Sequence, residues 1–97
     1  MSVLVIVEAQ IKSGELPNMK SYLKELLPDT RKFEGCKSLD VYSNTEDKNN
    51  LVFVEEWVSP SHYKKYHAWR TETGAIENIR SMIDGKVKIQ FFERIDV

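Results

Sequence analysis

Residues 3–7 (VLVIV) and 51–54 (LVFV) are apolar at every consecutive position. In a β-strand successive side chains point to opposite faces, so a run of this kind needs cover on both sides of its sheet. Only two helical regions can be read from the rest of the chain, and together they cover one face. The other face, left bare, would be a larger exposed apolar patch than soluble monomers usually carry. A second copy packed sheet against sheet, related by a twofold axis, removes the difficulty. The expectation is a homodimer.

The remaining punctuation fixes the order of elements. Residues 3–11 alternate Val3, Val5, Val7, Ala9 and Ile11 against Leu4, Ile6, Glu8 and Gln10. Ser13, Gly14 and Glu15 form a turn, and Pro17 suits a first helical turn. Leu16, Met19, Leu23, Leu26 and Leu27 form a helical stripe that Pro28 ends or kinks, with a short helical continuation to Phe33 and a left-handed stop at Gly35. Residues 36–43 alternate as a second strand, and the polar connector 44–50 makes a hairpin with the third. Ser59 is the expected N-cap, and Pro60 the first residue, of the second helix. Gly74 breaks or bends this helix. Thr73 then caps a further helical piece carrying Ile76, Ile79, Met82 and Ile83, which Asp84 and Gly85 stop before a last strand marked by Val87, Ile89 and Phe91. The predicted fold is α+β: a ferredoxin-like βαββαβ order, an antiparallel four-stranded sheet with helices on one face, in one domain over residues 1–97.

Several function classes are excluded by what the chain lacks. A net charge of −1 gives no general attraction to nucleic acid or to an anionic membrane. The apolar start is interrupted by Glu8 and has no basic flank, so it reads as a strand rather than a signal peptide or a span. One cysteine, Cys36, permits no internal disulfide and fits a reducing, cytoplasmic setting. No glycine-rich phosphate loop or dinucleotide fingerprint is present. His62 and His67 stand about 140° apart around a helix, so one metal cannot readily take both. No metal and no cofactor is expected.

The candidate site is the stretch 51–74. Trp57 shares its strand face with Phe53 and Glu55, and Tyr63, Tyr66, His67 and Arg70 recur at helical spacing in the element that follows. If that helix lies over that face, the rings and the cation look toward Glu55 and Trp57, enclosing a pocket with an aromatic floor and a polar roof. Each residue also has a plainer reading. Trp57 can serve as core packing, His67 as a structural histidine, and Arg70 as the partner of Glu55, Glu72 or Glu77. Tyr66 and Trp69 can seal the helix onto the sheet, and His62 is expected to be exposed.

With its element order, its Thr30-Arg31-x-x-x-Gly35-Cys36 before the second strand and its Glu55-x-Trp57-x-Ser59 ending the third, the chain resembles the antibiotic biosynthesis monooxygenase family. The resemblance implies a dimeric α/β barrel whose pockets lie between each sheet and its helices. It also implies oxygenation of phenols or quinols without metal or flavin. Relatives that degrade haem, isomerise small molecules or have no assigned activity keep other readings open, a lone His67 being the one candidate axial ligand for haem. Trp57 matches the family's strand-end tryptophan and Tyr63 its pocket tyrosine. Phe53 replaces an asparagine found in polyketide-hydroxylating members, and Tyr66 stands where quinol-type members have a histidine, with His67 one place on. Arg70 or Arg80 stands in for their late arginine.

Oxygenation of that type needs a base, hydrogen bonds that hold a substrate anion, and apolar walls that exclude water. His67 and Glu55 are the candidate bases, Tyr63 and Arg70 the anion partners, and Trp57, Phe53 and Tyr66 the walls. The expected partners are a small aromatic substrate and O2. The alternative is a module of the same fold that binds a small molecule without turning it over.

Overall fold

β1 (Val3–Ile11), α1 (Leu16–Lys32), β2 (Cys36–Ser43), β3 (Asn50–Trp57), α2 (Pro60–Glu72), α3 (Ala75–Ser81) and β4 (Ile83–Phe92) succeed one another in a computed structural model that describes residues 2–97. The sheet order is β2-β3-β1-β4, with every neighbouring pair antiparallel. β1 and β3, the strands with apolar runs on both faces, are the two central ones. The edges fall to β2 and β4, whose outward faces carry more polar residues.

The helices lie on one face. There Val3, Val5, Ala9 and Ile11 of β1 and Leu51, Phe53, Glu55 and Trp57 of β3 are buried. Two clusters share this side. One joins Met19, Leu23 and Leu27 of α1 to Leu39, Phe53, Met82 and Ile83. The other is mostly aromatic and joins Val3, Val5 and Trp57 to Tyr63 and Tyr66 of α2. The opposite face is uncovered. The register places Leu4 against Phe92 and Glu56, Ile6 against Val54, and Val52 against Tyr42. Leu4, Phe92 and Tyr42 are exposed, and Ile6, Val52 and Val54 are half-buried. Glu56, on the same face, accepts a hydrogen bond of 2.5 Å from the Ser2 hydroxyl and lies 3.9 Å from the Lys37 amine. A carboxylate there thus has its partners within one chain.

Three local expectations change. Pro28 neither ends nor separates α1, which runs on to Lys32. Bonds to other elements hold its last turn. Arg70 Nη2 donates to the Leu26 carbonyl, and Arg31 Nε and Nη2 donate to the Leu39 carbonyl at the edge of the sheet. Thr73 is the C-cap of α2, not the N-cap of the next helix. Its hydroxyl bonds back to the Arg70 carbonyl, and Gly74, at φ +83°, starts α3. Asp84 and Gly85 do not stop a helix. α3 has already ended at Ser81, and they lie in β4 beside an irregularity where Glu8 pairs with Lys88 and Gln10 with Asp84. Three residues of β4 oppose Ala9 alone there, and Gly85, at φ +80°, supplies the turn of chain that a bulge needs.

Candidate functional site

The second helix starts as its sequence dictates. Ser59 Oγ accepts from the His62 backbone N–H, and Pro60 occupies the first turn. His62 is not the exposed residue expected. Its Nδ1 lies 2.7 Å from Ser59 Oγ, and its ring packs on Gly35. A Cβ on Gly35 would fall 2.5 Å from that ring, and the backbone there has φ +93°. The Gly35 carbonyl accepts from Val58 N–H at 2.8 Å. The glycine therefore locks the start of β2 to the end of β3 and to the start of α2, which fixes α2 over Glu55.

Beneath α2, at the seam between the aliphatic and aromatic clusters, lies a cavity of about 110 Å³. Its walls are apolar: Val7, Leu23, Leu27, Phe53, Ile83 and Ile89 among them. Glu55 is the one carboxylate in the lining. Tyr63, Tyr66, His67 and Arg80 are the other members able to form hydrogen bonds. Glu55 is only 5% exposed, and burial pushes its carboxyl up to about 7; the Trp57 indole, donating from Nε1 at 2.9 Å, partly opposes that rise. Burial also raises the Tyr63 hydroxyl far above the ordinary phenol range, with Glu55 and Tyr66 adding to it. Tyr63 is thus a neutral donor at any physiological pH. Its ring lies 6.1 Å from that of His67 and meets Phe91 edge-on at 5.6 Å.

Of the residues expected to form the pocket, Glu55, Phe53, Tyr63, Tyr66 and His67 line the cavity together. Trp57 and Arg70 do not. Trp57, expected as the stacking wall, is fully buried behind Glu55, in edge contact with Tyr63 and 5.2 Å from the Tyr66 ring. Its position at the last pairing of β3 leaves it under α2, and its indole N–H finds the carboxylate two residues back on the same strand face. Arg70, expected to hold a substrate anion, is buried on the far side of Tyr66. Its Nε donates to Tyr66 Oη at 3.1 Å and its Nη2 to Thr30 Oγ1 at 3.0 Å, while its guanidinium stacks 4.4 Å from the Trp69 ring. None of Glu55, Glu72 and Glu77 is its partner. Thr30 and Tyr66 share a further bond of 2.7 Å, so the network ties α1 to α2 and fixes the Tyr66 ring in the cavity wall. Thr30 enters the sequence reading only as part of the motif before the second strand; its place in this network is not foreseeable there, since a threonine in a helix carries no sign of a buried partner thirty-six residues away. Arg80 does reach the lining. Cys36 is half-buried, its thiol pushed up first by burial and then by Glu55. Among the described residues no three His, Cys, Asp or Glu side chains converge as a metal-binding group would require.

The fold and cavity define a ferredoxin-like sheet-and-helix domain with an enclosed carboxyl between the layers. The chain belongs to the antibiotic biosynthesis monooxygenase family, whose profile matches residues 2–72. It is similar to a solved conserved protein from Methanosarcina mazei Go1, at 20% identity and TM-score 0.89 over 98% of this chain and 94% of that one. A solved antibiotic biosynthesis monooxygenase gives 20% identity and TM-score 0.87, covering 97% and 99% of the two chains. Rv0793 from Mycobacterium tuberculosis gives 18% and 0.85, covering 100% and 98%. At such identities these three likenesses speak for the fold. No curated protein sequence matches the chain significantly. No helix is long and apolar enough to cross a membrane among the described residues.

Proposed function

We propose that the chain is a cofactor-independent monooxygenase acting on a phenolic or quinol-type aromatic, with Glu55 as the base. The observation that carries this reading is a carboxyl held near neutral pH inside an apolar cavity. A general base works best when its pKa lies near the operating pH, and a buried carboxylate without a cation beside it is otherwise a pure cost to the fold. Family membership adds the reaction class.

In the proposed sequence the Glu55 carboxylate takes the phenolic proton and becomes a carboxylic acid. The phenolate gives one electron to O2, and the phenoxyl radical and superoxide recombine to form a C–O bond. The resulting peroxide recovers the proton from Glu55. Loss of water, which breaks the O–O bond, leaves a quinone. Phenol plus O2 thus gives quinone plus water, the substrate supplying all the electrons. The Tyr63 hydroxyl donates a hydrogen bond to the phenolate or peroxide oxygen, and His67 is the alternative base on the same wall. Trp57 and Arg70 act through others: the first orients Glu55, the second holds Tyr66.

Volume limits the substrate. At about 110 Å³ the cavity is smaller than the roughly 150 Å³ apolar cavity that takes a benzene ring, so the proposed substrate is limited to a single ring at most. The uncovered sheet face supports a second proposal, that two copies pair through Leu4, Ile6, Val54 and Phe92 to close a barrel. Sedimentation would then give twice the chain mass. Oxygen uptake with monocyclic quinols, under chelator and without added flavin, tests the activity. Uptake that Glu55→Gln lowers by roughly 10²–10⁴-fold supports the base assignment. Tight binding of the same quinols with no uptake at any pH would favour the binding-module reading instead.

A further inference from the structure

The cavity beneath α2 is smaller than the ring proposed for it. At about 110 Å³ it falls short of the roughly 150 Å³ that holds benzene, and a close-packed interior does not swell evenly to make up the difference. One wall must move, and the walls are not equally held. Phe53 and Glu55 stand on β3, which is paired on both sides. β4 is bonded along its length to β1. The walls from α1 and α2 are tied to each other through Thr30, Tyr66 and Arg70.

α3 has no such ties. At seven residues it is too short to hold itself as a helix, and no side chain caps its start. Ile76, Ile79 and Arg80 bring it into the cavity lining. The two isoleucines are half-buried and Arg80 is exposed, so α3 stands between the cavity and solvent. Among the described residues its one side-chain hydrogen bond to another element runs from Asn78 Nδ2 to Tyr22 Oη of α1, and that bond is long, at 3.4 Å. Neither Glu77 nor Arg80 enters an ion pair there. The ends of α3 are pinned by contrast. Gly74 N–H donates to the Thr71 carbonyl at 3.2 Å, and beyond the helix the Met82 carbonyl accepts from Lys12 N–H at 2.9 Å. Gly74, at φ +83°, has nothing within 4 Å of where a Cβ would lie, so the chain has room to turn there. A short helix strung between two pins, with a glycine at one of them, can swing without disturbing the layers it covers.

We propose that α3 is the lid of the cavity. It turns outward on Gly74 to admit one aromatic ring and closes over it, with the Asn78–Tyr22 bond as its latch. Closure shuts water out from Glu55 and the bound ring. The lid rests on the reading of the cavity as a site for one ring, but its test follows exchange and binding rather than turnover. The test uses the full chain, with phenol as the probe. Backbone hydrogen exchange read by mass spectrometry should show residues 75–81 exchanging about tenfold or more faster than residues 60–72, the mark of α3 opening alone. Phenol at ten times its dissociation constant should slow exchange of residues 75–81 about tenfold, because the open form lets the ring go. Tyr22→Phe and Asn78→Ala should each raise the association and dissociation rates of phenol about twofold or more. The dissociation constant should stay unchanged, since the latch is closed in the free and the bound form alike, and the double variant should do no more than either single one. Equal exchange in α2 and α3 overturns the lid. So does bound phenol that leaves the exchange of α3 unchanged, or unchanged phenol rates in both latch variants; the monooxygenase reading survives all three. Phenol that does not bind at millimolar concentration overturns the lid together with the single-ring site. A lid seen in exchange and rates, in a protein that takes up no oxygen with any quinol, stands while the monooxygenase reading falls.

Discussion

Glu55→Gln should make the protein more stable above neutral pH and leave it nearly unchanged in acid. The native carboxyl titrates at about 7 against an ordinary 4.5, because the residue is buried among apolar side chains. The native state therefore holds this proton more tightly than the unfolded chain. The resulting stability is fully present below about pH 4.5, declines as pH rises toward 7, and is gone above it. A displacement of this size corresponds to roughly 3 kcal/mol, a large share of the stability of a domain this small. Glutamine keeps an oxygen for the Trp57 indole and removes the titration. Urea melts of both proteins from pH 4 to pH 8, at one protein concentration, give the difference in unfolding free energy with other carboxyls cancelled. That difference should change by roughly 2–3 kcal/mol across the window, with glutamine favoured at the alkaline end. Parallel curves, within about 0.5 kcal/mol, would show that Glu55 is neither desolvated nor poised, and the case for it as the base would go with them.

Arg70→Met should cost about 1–3 kcal/mol, since it removes the donors to Tyr66, Thr30 and the Leu26 carbonyl together; calorimetry would show it, and an unchanged melting temperature would mean the network adds nothing. Gly35→Ala should cost about 2 kcal/mol or more, because it adds a side chain at φ +93° against the His62 ring. Gly14→Ala, at φ +83° but with nothing near the added carbon, is the control and should cost less. Val54→Glu should turn a dimer into monomers in light scattering, through a charge placed in the middle of the uncovered face; a dimer that persists would put the contact elsewhere.

Much of the fold was legible because alternation and capping are local. The strand phases of residues 3–11 and 51–57, the Ser59 cap and the hairpin each follow from neighbours in sequence. The boundaries that shifted depend on distant partners. α1 passes Pro28 because Arg70 and the β2 edge hold its last turn, and β4 starts early because Asp84 pairs with Gln10 and the bulge beside Ala9 absorbs Gly85. The site was legible to the level of which strand face meets which helix. Periodicity placed Tyr63, Tyr66 and His67 over Phe53 and Glu55, but it could not rank depth. Trp57 and Arg70 sit one layer behind the cavity because each found a hydrogen-bond acceptor there, Glu55 for the indole and Tyr66 with Thr30 for the guanidinium. Such a choice depends on contacts across three elements.

Oxygen uptake by the wild-type protein and by Glu55→Gln, followed with a monocyclic quinol from pH 5 to pH 9, bears most directly on the proposed chemistry. The wild-type rate should rise through an apparent pKa near 7 and stay unchanged by chelators, with one O2 consumed for each quinol hydroxylated and oxidised. The glutamine variant should bind the quinol and consume oxygen roughly 10²–10⁴-fold more slowly, without that inflection. Equal rates and equal pH profiles for the two proteins would contradict the assignment of Glu55 as the base.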